Sequence, residues 1–200
     1  MIEVVIGELE RHELPLAAGV VGRAYRDNPL SLAILGHDPA VRLRGVERLL
    51  RARLIGMERA PLVARRAGWI AGVCGMAPPG MCQPSPRTVL RMLPALLQVG
   101  PRAVWKMFGM RAEWEKREPK ERHWHLGPVG VEPALQGMAV GGRMMERFCA
   151  QMDHEGGMAW LDTDRVENVR FYERFGFVVE DTAEVIGVPN WFMRREPSAR

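Results

Sequence analysis

A run of small residues at 137–142 (Gly-Met-Ala-Val-Gly-Gly) is the part of the sequence with the clearest chemical use. It follows a stretch typical of a β-strand, 123–131, and leads into a segment whose apolar residues recur every four positions from Val140 to Met152, which predicts a helix with one buried stripe. The first N–H groups of a helix have no partner within it and carry the positive end of its dipole. Small residues let an anion approach them, as a phosphate would. A tightly packed strand–helix turn uses the same residue types, so the glycines alone leave both interpretations open.

Two familiar phosphate-binding motifs are absent from this segment. An NTP-binding loop ends in Gly-Lys-Ser/Thr, whereas Gly142 is followed by Arg143 and Met144. A dinucleotide fingerprint needs G-x-G-x-x-G, which the small residues at 137, 139, 141 and 142 do not fit. The sequence therefore predicts neither an NTP site nor an NAD site.

Two ordered blocks carry a resemblance to a known family. The first has the form Val-x-Pro-x-x-Gln-Gly-x-Gly/Ala-x-Gly, and its residues are Val131, Pro133, Gln136, Gly137, Ala139 and Gly141. The second, 161–177, joins Leu-Asp-Thr to Asn-x-x-x-Tyr and ends in Gly-Phe. In these blocks the chain resembles the GNAT superfamily of acetyl-CoA-dependent N-acetyltransferases, and residues 118–196 look like puromycin N-acetyltransferase and its relatives. Met138 and Ala139 replace a common Arg or Lys and a common Gly, and their bulk could narrow the anion site.

The resemblance implies acetyl-CoA as cosubstrate and no metal. Its diphosphate would lie on the N–H groups of 137–142, and its pantetheine amides would pair with the preceding strand like an added β-strand. Asn168 would bind the cofactor arm, although a capping role in its own helix is the alternative. The cofactor-binding residues expected in this way are Val129, Gly130, Val131, Gln136, Gly137, Met138, Ala139, Val140, Gly141, Gly142 and Asn168.

Direct acetyl transfer to an amine needs a base, a donor for the oxyanion and an acid for the leaving thiolate. The resemblance points to Tyr172 as the acid, four residues after Asn168 and so on the same helix face. A backbone N–H within 127–131 would serve the oxyanion. His125, with an ordinary pKa of about 6.5, is the first candidate for the base, and Asp162 is the second. A structural role stays open for all three side chains.

The acceptor expected from the resemblance is a primary amine of a small molecule, acetylated in a ternary complex. The alternatives are a protein acetyltransferase acting on Lys or N-terminal amines and a non-catalytic acyl-CoA-binding module. A nucleic-acid binder is least favoured, because no aromatic residues interleave with the arginines of 42–53. The segments 28–37 and 80–122 are expected to line the acceptor site, and the aromatic and Met residues of 104–114 to form core or an apolar pocket wall.

The remaining segments must supply a sheet and helices that position these residues. Strands are predicted at 2–6, 61–66, 68–77 and 123–131, and a further strand ends at 163. Helices are predicted at 14–26, 40–57 and 86–118, the last interrupted at Gly100-Pro101. Two more helices are predicted, one that begins at 140 and one around 168–173. The expected fold is a mixed α/β GNAT-like domain over 1–200. Its twisted, mostly antiparallel sheet of six or seven strands would be flanked by helices and splayed between 123–131 and 158–163.

Composition excludes several classes of protein. The 200 residues are 47% hydrophobic and 26% charged, which fits one globular domain and rules out a disordered chain, a fibre or a disulfide-stapled miniprotein. The net charge of +4 is interpreted mainly as an Arg-rich surface. Three cysteines without metal spacing fit reduced thiols. With no signal peptide and no run of about 20 apolar residues, we expect a cytoplasmic protein without membrane or nucleic-acid partners, which could pair as a homodimer through its last strand.

Overall fold

The computed structural model describes residues 3–82 and 86–198, which contain seven strands, seven α-helices and two short 3-10 helices. The strands are β1 Val4–Glu8, β2 Leu62–Arg66, β3 Trp69–Ala77, β4 His123–Val131, β5 Met158–Thr163, β6 Val178–Val185 and β7 Val188–Arg195. The helices are α1 Leu14–Tyr25, α2 Pro29–Leu35, α3 Pro39–Ile55, α4 Pro86–Val99, α5 Pro101–Glu115, α6 Val140–Glu155 and α7 Val166–Glu173. No helix in this part of the chain is long and apolar enough to cross a membrane.

The strands form one sheet in the order β1-β2-β3-β4-β5-β7-β6, and β4–β5 is its one parallel pair among the described residues. β4 pairs with β3 as far as Val131, which faces Gly72. It pairs with β5 only at His123–His125. The two central strands therefore separate after His125, and a cleft opens in the middle of the sheet. The predicted mixed fold, sheet and splay are confirmed.

Helices cover both faces of the sheet, which explains why β3 is buried from Ile70 to Ala77. Successive strand residues point to opposite faces. Leu62 and Ala64 accordingly pack with the α6 stripe, whereas Val63 between them packs with α1. The predicted stripe on α6 is buried as expected, with Val140, Met144, Phe148 and Met152 each at most 1% exposed.

The structure adds detail at three places. Residues 29–35, part of the 28–37 segment expected to line the acceptor site, form the helix α2, which begins at Pro29. The last two strands, β6 and β7, form a hairpin and complete a sheet of seven strands, within the predicted six or seven. The loop that the Cys-Gln-Pro-Ser-Pro sequence predicts at 82–86 lies mostly outside the described residues.

The apolar stripe predicted on α5 is divided between core and surface. Met110 and Trp114 pack against a cluster formed by Trp160, Val185 and Phe192. Trp105 and Phe108 are 76% and 66% exposed, so these two side chains do not belong to the core. Helical spacing identified the stripe, but it could not show that only one edge of α5 faces the protein.

Candidate functional site

The anion site predicted at 137–142 has free donors. Gly137 (φ 78°) and Ala139 (φ 62°) adopt left-handed conformations that turn the chain from β4 into α6. Arg143 makes the first helical bond, from its N–H to the carbonyl of Ala139 at 3.1 Å. The N–H groups with no partner among the described residues are those of Gly137, Ala139, Val140, Gly141 and Gly142. Met138 is the exception, because its N–H donates to the Leu135 carbonyl at 3.3 Å.

Space and charge at this site both suit an anion. A Cβ at Gly142 would meet no atom within 4 Å, whereas a Cβ at Gly141 would come within 3.3 Å of the Phe171 ring. Gly142 therefore keeps the helix end open, and Gly141 lets α6 approach α7 closely. The Arg66 guanidinium reaches the Met138 sulfur at 3.6 Å and adds a positive charge beside the turn. Unpaired amides, the helix dipole and this arginine together fit a diphosphate.

The backbone groups of β4 alternate between β3 and the cleft. The Val129 N–H points away from β3 and donates to the Tyr25 hydroxyl at 3.0 Å, and the Val131 carbonyl, also away from β3, accepts from the Gln136 amide at 3.2 Å. Glu132 points the other way, with its N–H on the Ala71 carbonyl of β3 at 2.9 Å. By this alternation Gly130 faces β3.

This alternation corrects one predicted contact. Backbone pairing of a pantetheine chain suits Val129 and Val131 but not Gly130. Gly130 has a different use, since a Cβ there would lie 3.1 Å from Ala24 and 3.2 Å from Val21 of α1. It allows α1 to pack closely against β4.

Gln136 and Asn168 hold the local structure together. The Gln136 amide, by bonding to Val131, ties the turn to the end of β4. The Asn168 amide donates to the Thr163 hydroxyl at 3.0 Å and so fixes α7 to the end of β5. This contact differs from the capping role considered as the alternative for Asn168. Direct contact of either side chain with a cofactor stays a prediction.

Two tyrosines, Tyr172 and Tyr25, lie near one another at the cleft. Tyr172 on α7 is 8% exposed and lies edge-on to Phe171 and Phe177. Its role as the acid stays a prediction. Burial raises the pKa of both Tyr172 and Tyr25, so both hydroxyls keep their protons at neutral pH. Sequence reasoning missed Tyr25; its only signal was that the chain has just two tyrosines.

His125 and Asp162 lie across the narrow end of the cleft, with Nε2 and Oδ1 3.9 Å apart, too far for a hydrogen bond. Burial, followed by repulsion from Arg53, lowers the pKa of His125 to about 4. Burial, followed by the nearby Asp164, raises the pKa of Asp162 to about 7. The ordinary pKa on which His125 was predicted as the base is therefore not found, and Asp162 is the group that titrates near neutrality.

Asp164 connects this end of the cleft to α2. Its carboxylate accepts from the Leu30 N–H at 2.8 Å and from the Asn28 amide at 3.3 Å. Burial raises the pKa of Asp164 despite these bonds. The contact places α2, part of the 28–37 segment expected to line the acceptor site, beside the carboxyl end of β5.

A separate cavity between α2, α3 and α5 has the wrong charge for an amine. Its lining includes Arg44, Arg48, Arg102 and Lys106 and contains no carboxylate. A protonated amine would be repelled there, whereas the cleft presents Asp162 close to Asp164. Of the two, the cleft has the charge that suits a protonated amine.

We call the unpaired N–H groups at 137 and 139–142 the cradle. The cradle lies at the start of a helix, beside a sheet that is split between two parallel central strands. This geometry suits a class of protein that binds an acyl carrier with a diphosphate. The sequence model of the acetyltransferase (GNAT) family matches residues 56–177. The chain belongs to the GNAT family of acetyl-CoA-dependent acetyltransferases.

Solved structures share the fold. A histone acetyltransferase HPA2 and related acetyltransferase from Corynebacterium glutamicum is 18% identical with a TM-score of 0.70, covering 100% of this chain and 99% of its own. A GNAT acetyltransferase from Brucella melitensis in complex with acetyl-CoA is 17% identical with a TM-score of 0.56, covering 100% and 91%. The polyamine N-acetyltransferase of Drosophila melanogaster, which forms N-acetylagmatine, is 15% identical with a TM-score of 0.64, covering 97% and 100%.

Proposed function

We propose that this chain transfers the acetyl group of acetyl-CoA directly to a primary amine of a small molecule, in a ternary complex. The observation that carries the proposal is the set of five unpaired N–H groups at 137 and 139–142, placed where β4 and β5 diverge. The cradle would bind the diphosphate of acetyl-CoA, and the cleft would hold its extended pantetheine chain, which reaches toward Asp162 and Tyr172.

The residues of β4 support this placement of the donor. The cleft-facing backbone groups of Val129 and Val131 are the ones that an added strand would pair with. The Val129 N–H is held by the Tyr25 hydroxyl at 3.0 Å, so a carbonyl that takes this donor displaces or joins that hydroxyl. Val129 is thus our candidate for the oxyanion donor.

Asp162 and Tyr172 divide the proton transfers between them. Asp162 accepts the proton that the ammonium group of the acceptor must lose, and the second buried carboxylate, Asp164, adds to the attraction of a cationic amine. Tyr172 donates its phenolic proton to the thiolate that leaves after the amine nitrogen has bonded to the acetyl carbon. The thioester, when bound, supplies the acyl group and the leaving thiolate.

A small-molecule acceptor is supported by the cleft carboxylates and by the fold shared with a polyamine N-acetyltransferase. A protein acceptor would need an open groove for several residues of peptide. An acyl-CoA-binding module without activity would not need the raised pKa of Asp162.

A thiol-release screen tests the proposal. Purified protein with acetyl-CoA is given polyamines, aminoalkyl compounds, aromatic amines and Lys-containing peptides, and free CoA is measured. We expect release with at least one small amine above the peptide rate. Faster release with peptides would favour the protein acetyltransferase, and binding of acetyl-CoA without release on any amine would favour the binding module.

A matched pair of variants tests the role of Tyr172. Tyr172→Phe should lower kcat by about 10²-fold or more, the usual contribution of a general acid, with acetyl-CoA affinity within about twofold. Tyr25→Phe removes a hydroxyl of the same kind from the other side of the cleft and should cost less. An unchanged kcat in Tyr172→Phe would remove this residue from the mechanism.

A further inference from the structure

A side-chain cluster outside the cradle has the composition of a metal site. Cys82 follows β3, Glu118 lies between α5 and β4, and His123 begins β4. The Cys82 sulfur lies 3.4 Å from His123 Nε2, and a Glu118 carboxylate oxygen lies 3.5 Å from the same nitrogen. These three ligand atoms and one of His125 all lie within 4.8 Å of one another.

The two short distances match a tetrahedral ion. Zinc binds sulfur at about 2.3 Å and nitrogen or oxygen at about 2.0–2.2 Å, so adjacent ligand atoms around it are roughly 3.3–3.7 Å apart. The distances from His123 Nε2 to Cys82 and to Glu118 fall in this interval. Both pairs therefore have the spacing of ligands that share one ion, and the Cys82 and Glu118 ligand atoms lie within 4.8 Å of each other.

His123 is oriented as a metal-binding imidazole is. The ring is buried, and its Nδ1 donates to the Glu121 carbonyl at 2.8 Å. A carbonyl only accepts, so the proton is on Nδ1, and in the neutral ring the lone pair of Nε2 faces Cys82 and Glu118. A second hydrogen bond of this kind fixes the tautomer of histidines that bind metals.

We propose that Cys82, Glu118 and His123 bind one divalent transition-metal ion of the zinc type, with a fourth coordination position on the side of His125. Thiolate, imidazole and carboxylate together are the donor set that Zn²⁺ uses in proteins.

The position of the ligands gives the ion a mechanical role. The helices α4 and α5 leave the sheet after β3 and return to it before β4. Cys82 precedes this helical pair and Glu118 follows it, so one ion would join both of its ends to the first residue of β4. The ion would close the loop from 82 to 118 and reduce the freedom of the helices that border the acceptor side of the protein.

A metal-free arrangement of the same residues is the competing interpretation. The Cys82 thiol would share a hydrogen bond with His123, and Glu118 would form an ion pair with the protonated ring. Arg53, whose charge interacts with Cys82 and Glu118, would balance the remaining negative charge. The two interpretations differ in one measurable property, which is whether the sulfur of Cys82 bonds to a metal.

Cobalt titration of the chelator-treated full chain tests the proposal without any need for acetyl transfer. Co²⁺ in a tetrahedral site that contains a thiolate gives intense visible bands and a sulfur-to-cobalt charge-transfer band. We expect both at one equivalent, an apparent Kd below about 10 µM, and displacement of cobalt by Zn²⁺. Zn²⁺ should also raise Tm, because it binds the folded state.

Matched variants locate the ion. Cys82→Ser should abolish the charge-transfer band and weaken binding by about 100-fold or more, and His123→Gln should also weaken it strongly. Cys149→Ala and His37→Gln remove the same residue types elsewhere and should leave the titration within about twofold of the parent protein. Cys74 and Cys149 are buried, so Zn²⁺ should also protect Cys82 from alkylation in the unmodified chain.

The alkylation measurement keeps the test decisive even if a variant fails to fold. Absence of a charge-transfer band at about 100 µM Co²⁺ would overturn the proposal, and so would a spectrum that Cys82→Ser does not change. Alkylation of Cys82 at the same rate with and without Zn²⁺ would overturn it as well. The acetyltransferase proposal would stand in each of these cases.

Discussion

Gly142→Asp should stabilise the first turn of α6 and weaken its affinity for an anion, so the two effects can be measured separately. Gly142 is the third residue of α6, and a Cβ there would meet no atom within 4 Å. The substitution therefore introduces a carboxylate beside the free N–H groups without displacing any neighbour. Gly142→Ala is the matched control, because it adds the Cβ without the charge.

The expected effects of the two variants have opposite signs. Replacing a helical glycine by alanine stabilises by about 0.5–1 kcal/mol, and a carboxylate in the first turn gains about 0.3–1 kcal/mol from the dipole. Both variants of Gly142 should therefore keep or raise Tm. A carboxylate about 6 Å from a bound dianion repels it by about 1.4 kcal/mol with water-like screening and about 5.5 kcal/mol at an effective dielectric constant of about 20. The acetyl-CoA affinity of Gly142→Asp should therefore fall at least about tenfold below that of Gly142→Ala.

Calorimetric titration with acetyl-CoA, together with a thermal melt of each protein, measures both effects. The affinity difference between Gly142→Asp and Gly142→Ala should shrink as salt is added, because ions screen the repulsion at this exposed helix end. If Gly142→Asp folds and binds acetyl-CoA within twofold of Gly142→Ala at low salt, no diphosphate lies on this helix start. The assignment of the cradle would then be wrong.

Three further predictions follow from charges and close contacts. The kcat/KM of the parent protein should rise with pH through about 7 as Asp162 loses its proton, and Asp162→Asn should remove this limb; a retained limb would exclude Asp162 as the base. The ion pair with Arg195 (2.7 and 2.9 Å) lowers the pKa of Asp153. The pair therefore stabilises the folded protein above the ordinary pKa of an aspartate, and this stabilisation is lost as the pH falls through the lowered pKa of Asp153. Asp153→Asn should therefore reduce the free energy of unfolding by about 2 kcal/mol at pH 7, and urea denaturation should show this difference vanishing in acid. Gly75→Ala places a Cβ 2.7 Å from the β4 backbone and should cost about 3 kcal/mol, because the backbone cannot give way. Gly72→Ala places a Cβ 2.7 Å from the flexible end of Met144 and 3.2 Å from a Val140 methyl, so it meets side chains only and should cost less; equal losses in thermal melts would contradict this reasoning.

The cradle could be predicted from the sequence because it is local. A strand, a turn of small residues and an amphipathic helix follow one another within 123–155, and their patterns do not depend on distant contacts. The pair of strands before it, β2 and β3, was also predicted closely, because the positive-φ turn at Ala67-Gly68 separates two apolar runs.

The side-chain contacts around the cleft could not be predicted from local patterns, because distant segments make them. The hydrogen bond from Val129 to Tyr25 joins residues 104 positions apart, and the contact between Cys82 and His123 joins residues 41 apart. Nothing in the residue types near Tyr25 indicates that the end of α1 lies over β4. The end of α1 can pack there because residue 130 is a glycine. In the sequence, a glycine at this position also suits a flexible strand end, so it does not indicate that a helix packs against it.

Burial also reverses the order of base strength that residue types suggest for His125 and Asp162. In water a histidine is a stronger base than an aspartate, with pKa values of about 6.5 and 3.9. Removal from water disfavours the charged form of each group, which is the protonated imidazole in one case and the carboxylate in the other. The pKa of His125 therefore falls to about 4 while that of Asp162 rises to about 7. The two opposite shifts make the Asp162 carboxylate a stronger base than the His125 imidazole. In the proposed mechanism, a cationic amine that enters the cleft thus meets, in Asp162, a group that both attracts its charge and can accept its proton.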